Sequence, residues 1–141
     1  MMTPGNEAEL AEAIAGASGP LAVQGGGTGG ISVPGEVLST SALTGVELYE
    51  PGALTLVARA GTPVAEVEAL LASEGQRLAF EPWDARGLLG TGGAPTIGGV
   101  FAANASGPRR VQAGAARDFL LGVRFVDGAG TVVKNGGRVM K

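Results

Sequence analysis

Two glycine-dense stretches carry the backbone best suited to holding a ligand. The first is Gly25-Gly26-Gly27-Thr28-Gly29-Gly30, and the second is Thr91-Gly92-Gly93-Ala94-Pro95-Thr96-Ile97-Gly98-Gly99. Without side chains in the way, successive N–H groups can close on a phosphate, and a threonine hydroxyl adds another donor. Gly25, Gly27 and Gly30 satisfy G-x-G-x-x-G arithmetically. A dinucleotide site of the doubly wound type needs that turn to open a helix. Here Ile31-Ser32-Val33-Pro34-Gly35 follows, which is β-branched and broken by proline, so that class is excluded. No Gly-Lys-Ser/Thr appears, which excludes a P-loop. The second stretch runs into a segment that can begin a short helix at Thr96–Ala103, whose N-terminus would favour an anion. Two such loops can act as two jaws on one dinucleotide, and they can equally be the surface turns of a β-rich chain.

Composition narrows the chemistry further. The 141 residues include no His and no Cys. Thiol nucleophiles, disulfides, Ser-His triads and the commonest zinc ligands are therefore excluded. The same absence rules out a histidyl bond to a flavin. Any catalysis must use carboxylates, Lys, Arg, Tyr or a borrowed cofactor. Net charge is −3, and Arg109-Arg110 is the one basic cluster, so nucleic acid is a poor partner. No apolar run reaches membrane-span length and no charged-then-apolar leader opens the sequence. Absence of cysteine fits a cytoplasmic protein.

The elements that must position these loops are read from periodicity and caps. Asn6 is a good N-cap for a helix over residues 7–15, with Leu10, Ala13 and Ile14 on one face. Short strands are expected at 21–24 and 37–40. Residues 46–50 and 54–60 read as strands paired around Pro51-Gly52. Thr62 and Pro63 read as N-cap and first turn of a helix carrying Val64, Val67, Leu70 and Leu71, which Gly75 ends. Leu78-Ala79-Phe80 reads as a brief strand, 83–95 as turn material, and 104–116 as irregular chain. The clearest strand is 119–126, turned by Asp127-Gly128-Ala129-Gly130 into 131–134. The class is α+β, with short strands, two helices and large glycine loops; there is no internal repeat and no dividing linker.

The ordered series of motifs then becomes specific. Gly25-Gly26-Gly27-Thr28 is followed by Ala58-Arg59-Ala60-Gly61-Thr62-Pro63, by Leu78-Ala79-Phe80-Glu81-Pro82, and by Thr96-Ile97-Gly98-Gly99. Ser106-Gly107-Pro108-Arg109-Arg110 and Gly114-Ala115-Ala116-Arg117-Asp118-Phe119-Leu120-Leu121-Gly122-Val123 come next, and Gly136-Gly137-Arg138-Val139-Met140-Lys141 closes the sequence. From about Leu21 onward this series resembles the FAD-binding subunits of bacterial glycolate oxidases. These belong to the flavoprotein superfamily of p-cresol methylhydroxylase (PCMH) and vanillyl-alcohol oxidase.

The resemblance implies a PCMH-type FAD-binding domain over 1–141, incomplete at its C-terminal side. Its first α+β half would cover about 1–80 and the start of its second about 81–141. Noncovalent FAD is the implied cofactor. Gly25, Gly26, Gly27, Thr28 and Gly29 would take the pyrophosphate through backbone amides. Thr96, Ile97, Gly98, Gly99, Ala103, Ser106 and Gly107 would line the other side, with Pro82 nearby. Gly114, Arg117 and Asp118 match a stretch that packs by the flavin; Arg117-Asp118 also reads as a local ion pair that fixes a loop. Arg109-Arg110 would face phosphate, an acidic partner or solvent.

The implied activity is oxidation of a 2-hydroxy acid such as glycolate by hydride transfer to flavin. The implied partners are a second flavoprotein subunit and an iron–sulfur subunit of the same complex, which would supply any association with a membrane. No catalytic base is identifiable. Two other readings stay open: a non-catalytic structural or electron-relay FAD subunit, and a nucleotide-sugar-binding domain of the same superfamily. There are departures as well. Gln24 stands where these proteins often carry Arg, and Trp83-Asp84-Ala85-Arg86 matches nothing in the family pattern. The family pattern also continues past Lys141 into a substrate cap, so an apolar sheet face and an unpaired edge are expected to be exposed.

Overall fold

The computed structural model describes residues 1–138. Local sequence signals account for its first half. Asn6 caps α1 (Glu7–Ala15), its Oδ1 accepting from the N–H of Glu9 at 2.9 Å. Strand β1 (Leu21–Gln24) leads into the first glycine loop and pairs in parallel with β2 (Glu36–Ser39), Leu21 opposite Glu36. Met2 adds a parallel bridge to Leu38. The expected pair follows: β3 (Val46–Glu50) and β4 (Thr55–Ala58) run antiparallel, with an irregularity between Val46 and Leu48. Between them a 3₁₀ turn at Pro51–Ala53 ends with Leu54 in the left-handed region.

Helix α2 (Val64–Ser73) keeps the expected apolar face, burying Val64, Val67 and Leu71 while Glu66, Glu68 and Glu74 stay exposed. Its start differs from the expectation. Thr62 makes no cap; Pro63 occupies the N-cap position. The fully buried Thr62 hydroxyl instead donates to the carbonyl of Arg59 at 2.7 Å and accepts from the N–H of Gly45 at 3.0 Å. A contact seventeen residues away in sequence captured the side chain that local pattern assigned to the helix.

The second half contains more helix than the sequence suggested. Leu78-Ala79-Phe80 forms no strand; with no neighbouring ladder to join, it turns, and Phe80 drops into the core at 2% exposure. Single helical turns occur at α3 (Arg86–Leu89), inside the expected turn region, and at α5 (Arg110–Ala113), inside the expected irregular region. Between them α4 (Ile97–Ala103) is the short helix anticipated after Thr96. A 3₁₀ turn at Ala116–Phe119 takes the first residue assigned to the next strand, so β5 begins only at Gly122 (Gly122–Val126). Strand β6 (Val132–Gly136) pairs with it antiparallel. The motif residues 139–141 lie outside the described residues.

The core sits between α2 and α4. Val64, Phe80, Val100 and Ala116 form one cluster; Val67, Leu71 and Ile97 form a second, against which Tyr49, Leu56 and Ala58 of the β3–β4 pair rest. The rings of Phe101 and Phe119 lie 5.7 and 5.5 Å from that of Phe80. Helix α1 packs on the β5–β6 hairpin, where a side chain at Gly130 would strike Ala11 and Ala15. Arg124 of β5 donates to Glu7 of α1 at 2.6 Å.

Candidate dinucleotide site

The fold brings the two glycine loops into direct contact. A Cβ on Gly26 would overlap the carbonyl oxygen of Ala94, and one on Gly93 would overlap the carbonyl of Gly26. Only glycine permits that approach. Thr91 seals the contact by donating its hydroxyl to the carbonyl of Thr28 at 2.8 Å. Gly25 lies against the Thr96 side chain. The N–H groups of Gly26, Gly27, Thr28, Gly29 and Gly30 donate to no backbone acceptor among the described residues, nor do those of Thr91, Gly92, Gly93 and Ala94. A run of open donors on each of two touching loops is the arrangement that receives a polyanion such as a pyrophosphate.

The expectation for the first turn of α4 needs correction. Thr96 caps the helix, its hydroxyl accepting from the N–H of Gly99 at 3.2 Å. The N–H of Ile97 donates to Thr62 and that of Gly98 to Ala60, both at 2.9 Å. These donors are occupied by protein, so Ile97, Gly98 and Gly99 offer no free amides to an anion. Gly98 has its own steric reason: its missing Cβ would come within 2.7 Å of the Ala60 side chain and carbonyl. Helix α4 is therefore wedged against the chain entering α2. The N–H of Val64 completes the seam by donating to Pro95 at 2.8 Å.

A second group of candidate residues gathers at the other end of α4. Ser106 accepts from the N–H of Ala116 at 2.9 Å. Gly107 donates to the carbonyl of Phe80 at 2.9 Å, and its missing Cβ would touch Glu81. Gly114 has φ 97° and packs against Asp118 and the Phe119 ring. Asp118 accepts from the N–H of Ala115 at 2.8 Å, while its other oxygen lies 3.9 Å from Arg117 Nε. That ion pair is loose and exposed, and the loop is fixed by the carboxylate–amide bond instead. Ala103 is exposed at the end of α4, and Pro82 is half-buried beside Glu81. Arg109 and Arg110 are exposed and join no ion pair among the described residues.

Sequence reading missed several contributors. The unmatched Trp83-Asp84-Ala85-Arg86 segment is a brace: Arg86 binds Asp84 at 2.7 Å and donates to the carbonyl of Gly93 at 2.9 Å. The Arg86 guanidinium, through its hydrogen bonds, holds the Asp84 carboxyl below its ordinary value. Ala94 and Ala60 matter through their carbonyls, which no side-chain motif could signal. Glu81 adopts φ 48° and buries one carboxylate oxygen without a partner among the described residues. Asn104, at the end of α4, was detectable in principle, because asparagine tolerates the left-handed conformation it adopts at φ 49°.

Comparison with known proteins agrees with this geometry. Residues 1–136 match the FAD binding domain family. The chain is 40% identical over 125 residues to the glycolate oxidase subunit GlcE of Escherichia coli (strain K12), an alignment covering 86% of this chain and 34% of that protein. The sequence thus spans about a third of the length of that curated relative. Among solved structures, Phl p 4.0202, a glucose dehydrogenase, matches with a TM-score of 0.73 at 17% identity, over 94% of this chain and 28% of the other. Berberine bridge enzyme in complex with (S)-reticuline matches with a TM-score of 0.71 at 17% identity, over 94% and 27%. Alkyldihydroxyacetonephosphate synthase gives 0.71 at 20% identity, over 96% and 25%. These structures share the fold, and each is about four times longer than the part matched. An α+β arrangement with two interlocked glycine loops and a family match over nearly all its residues places the chain in the FAD binding domain family, PCMH-type.

Proposed function

We propose that this chain holds noncovalent FAD for a flavoprotein that oxidises a 2-hydroxy acid, glycolate being the substrate that its curated relative's name suggests. The observation that carries the reading is the pair of touching loops with open amides. Gly25, Gly26, Gly27, Thr28 and Gly29 bind the pyrophosphate on one side, and the amides of Gly92 and Gly93 face it from the other. Thr96, Ile97, Gly98 and Gly99 shape the wall behind, and Gly98 does so by position rather than by its N–H. Pro82, Ala103, Ser106, Gly107, Gly114, Arg117 and Asp118 form the lip beside the flavin. Residues 1–80 are read as the first half of the domain and 81–141 as the start of the second, consistent with strands that pair only within each part.

Flavin held by these residues would supply the redox chemistry, acceptance of a hydride from the α-carbon of the substrate. The residues described here orient and bind; Asp118 is already engaged with Ala115, so it is poorly placed to act as a base. That observation favours a second reading beside the first, in which this part holds FAD without turning over substrate. The partners in either case are a second flavoprotein subunit and an iron–sulfur subunit in the cytoplasm. No helix among the described residues is long and apolar enough to cross a membrane.

Two measurements test the proposal. Acid treatment should release all flavin as FAD, since no His or Cys is present to form a covalent link; flavin retained on precipitated protein contradicts it. Reduction of a dye acceptor by glycolate separates the catalytic reading from the purely FAD-holding one.

A further inference from the structure

The two groups of candidate residues sit at opposite ends of α4, and one residue outside both joins the second group to the helix. Asn104 follows the last turn of α4 with φ 49°. Its side chain reaches across to accept from the N–H of Arg117 at 3.0 Å. Its carbonyl accepts from the Ser106 hydroxyl at 3.1 Å, and that hydroxyl accepts from the N–H of Ala116 at 2.9 Å. The first two N–H groups of the 3₁₀ turn Ala116–Phe119 have no partner within that turn. Both are tied instead to the end of α4. Gly114, Arg117 and Asp118 lie on the segment so tethered, and Ala116 between them is fully buried in the α2–α4 core.

We propose that Asn104 is a positioning residue for the cofactor site: with Ser106 it forms a clasp that fixes the Gly114–Asp118 lip at a set distance from the glycine jaws. Helix α4 is the spacer. Seven residues at ~1.5 Å each make a rod of about 10 Å. Its N-terminal end abuts the Gly25–Gly26 loop through Thr96, and its C-terminal end carries the clasp. Releasing the clasp leaves the jaws and the core in place while the lip drifts, so the site loses one of its two contacts with a long ligand. In this role Asn104 acts through the lip and needs no contact with the cofactor. The proposal rests on the reading of the site as an FAD site and adds how the two halves of that site are kept in register.

Two substitutions isolate the side-chain acceptor from the backbone conformation. N104G keeps the left-handed geometry and removes the acceptor. N104D keeps both. Loss of one hydrogen bond corresponds to a roughly five- to tenfold weaker FAD affinity for N104G, with N104D within about threefold of the parent. Amide exchange at Arg117, read by NMR without flavin, should accelerate in N104G and return to the parent rate in N104D. Equal impairment of N104D and N104G, or parent-like exchange and affinity in N104G, overturns the clasp. If the parent chain takes up no FAD, the FAD reading and the claimed influence on affinity fail together, and the exchange rates alone still decide whether the clasp exists.

Discussion

The jaws around α4 and the β5–β6 hairpin treat their apolar residues in opposite ways. At the jaws, backbone meets backbone. Gly26 fits under Ala94, Gly93 under Gly26 and Gly98 against Ala60, while Val100, Ile97 and Thr96 are buried beneath them. On the hairpin, Val123, Phe125 and Val132 remain 42, 44 and 39% exposed. Its ties run to α1, through Gly130 and the Glu7–Arg124 pair. The jaws close on each other among the described residues; the hairpin presents an apolar surface like those that other structure usually covers. Glycine in the first region is a requirement of contact, whereas in the second the large side chains of Val123, Phe125 and Val132 are left partly open to solvent.

The largest effect that would break this comparison concerns Gly98. G98V forces two branches into Ala60 and costs on the order of 3 kcal/mol by overpacking, enough to lower the unfolding midpoint clearly. Thermal melts without flavin check it. The same clash argument applies to G26V, where the obstruction is the Ala94 carbonyl and flavin uptake should vanish with the loop contact. If G26V melts like the parent, the loops are not interlocked as described; if G98V does, α4 is not wedged against Ala60.

A change on the hairpin should behave differently. F125E removes apolar surface that is nearly half exposed, so stability should shift by about 0.5 kcal/mol or less. The same variant should reduce any self-association seen by light scattering. A severe loss of stability would show that the hairpin is packed more tightly than the structure indicates.

Acid provides a third comparison. The Asp84 carboxyl is held below its ordinary value chiefly by its hydrogen bonds with Arg86. A depressed carboxylate contributes above its unfolded pKa, and the contribution disappears as pH falls through the folded one. The brace on Gly93 should therefore hold through neutral pH and release only below the ordinary carboxylate range. Glu7, lowered by Arg124, should release α1 from the hairpin over a similar acid interval. Both pairs are exposed, so a double-mutant cycle should find little coupling in either. Salt should weaken them further.

What the sequence revealed follows the same division. Signals confined to a few neighbouring residues were readable: the Asn6 cap, the turn after Glu50, the apolar face of α2, the Thr96 start of α4. Signals that depended on distant partners were not. Thr62 looked like a cap until Gly45 took its hydroxyl. Leu78-Ala79-Phe80 looked like a strand because nothing local shows that no ladder lies beside it. The single turns α3 and α5 are too short to show a period. The glycine loops were recognised as backbone surfaces, yet their meeting at Ala94 depends on carbonyls, which carry no residue signature.

The central claim is that the paired loops grip a pyrophosphate, and comparative titration of the chain with FAD and with FMN tests it most directly. FMN carries the same flavin without the bridging pyrophosphate. The account predicts that FAD binds at least tenfold more tightly, a difference of about 1.4 kcal/mol. Equal affinity for the two, or binding of neither by folded protein, would contradict it.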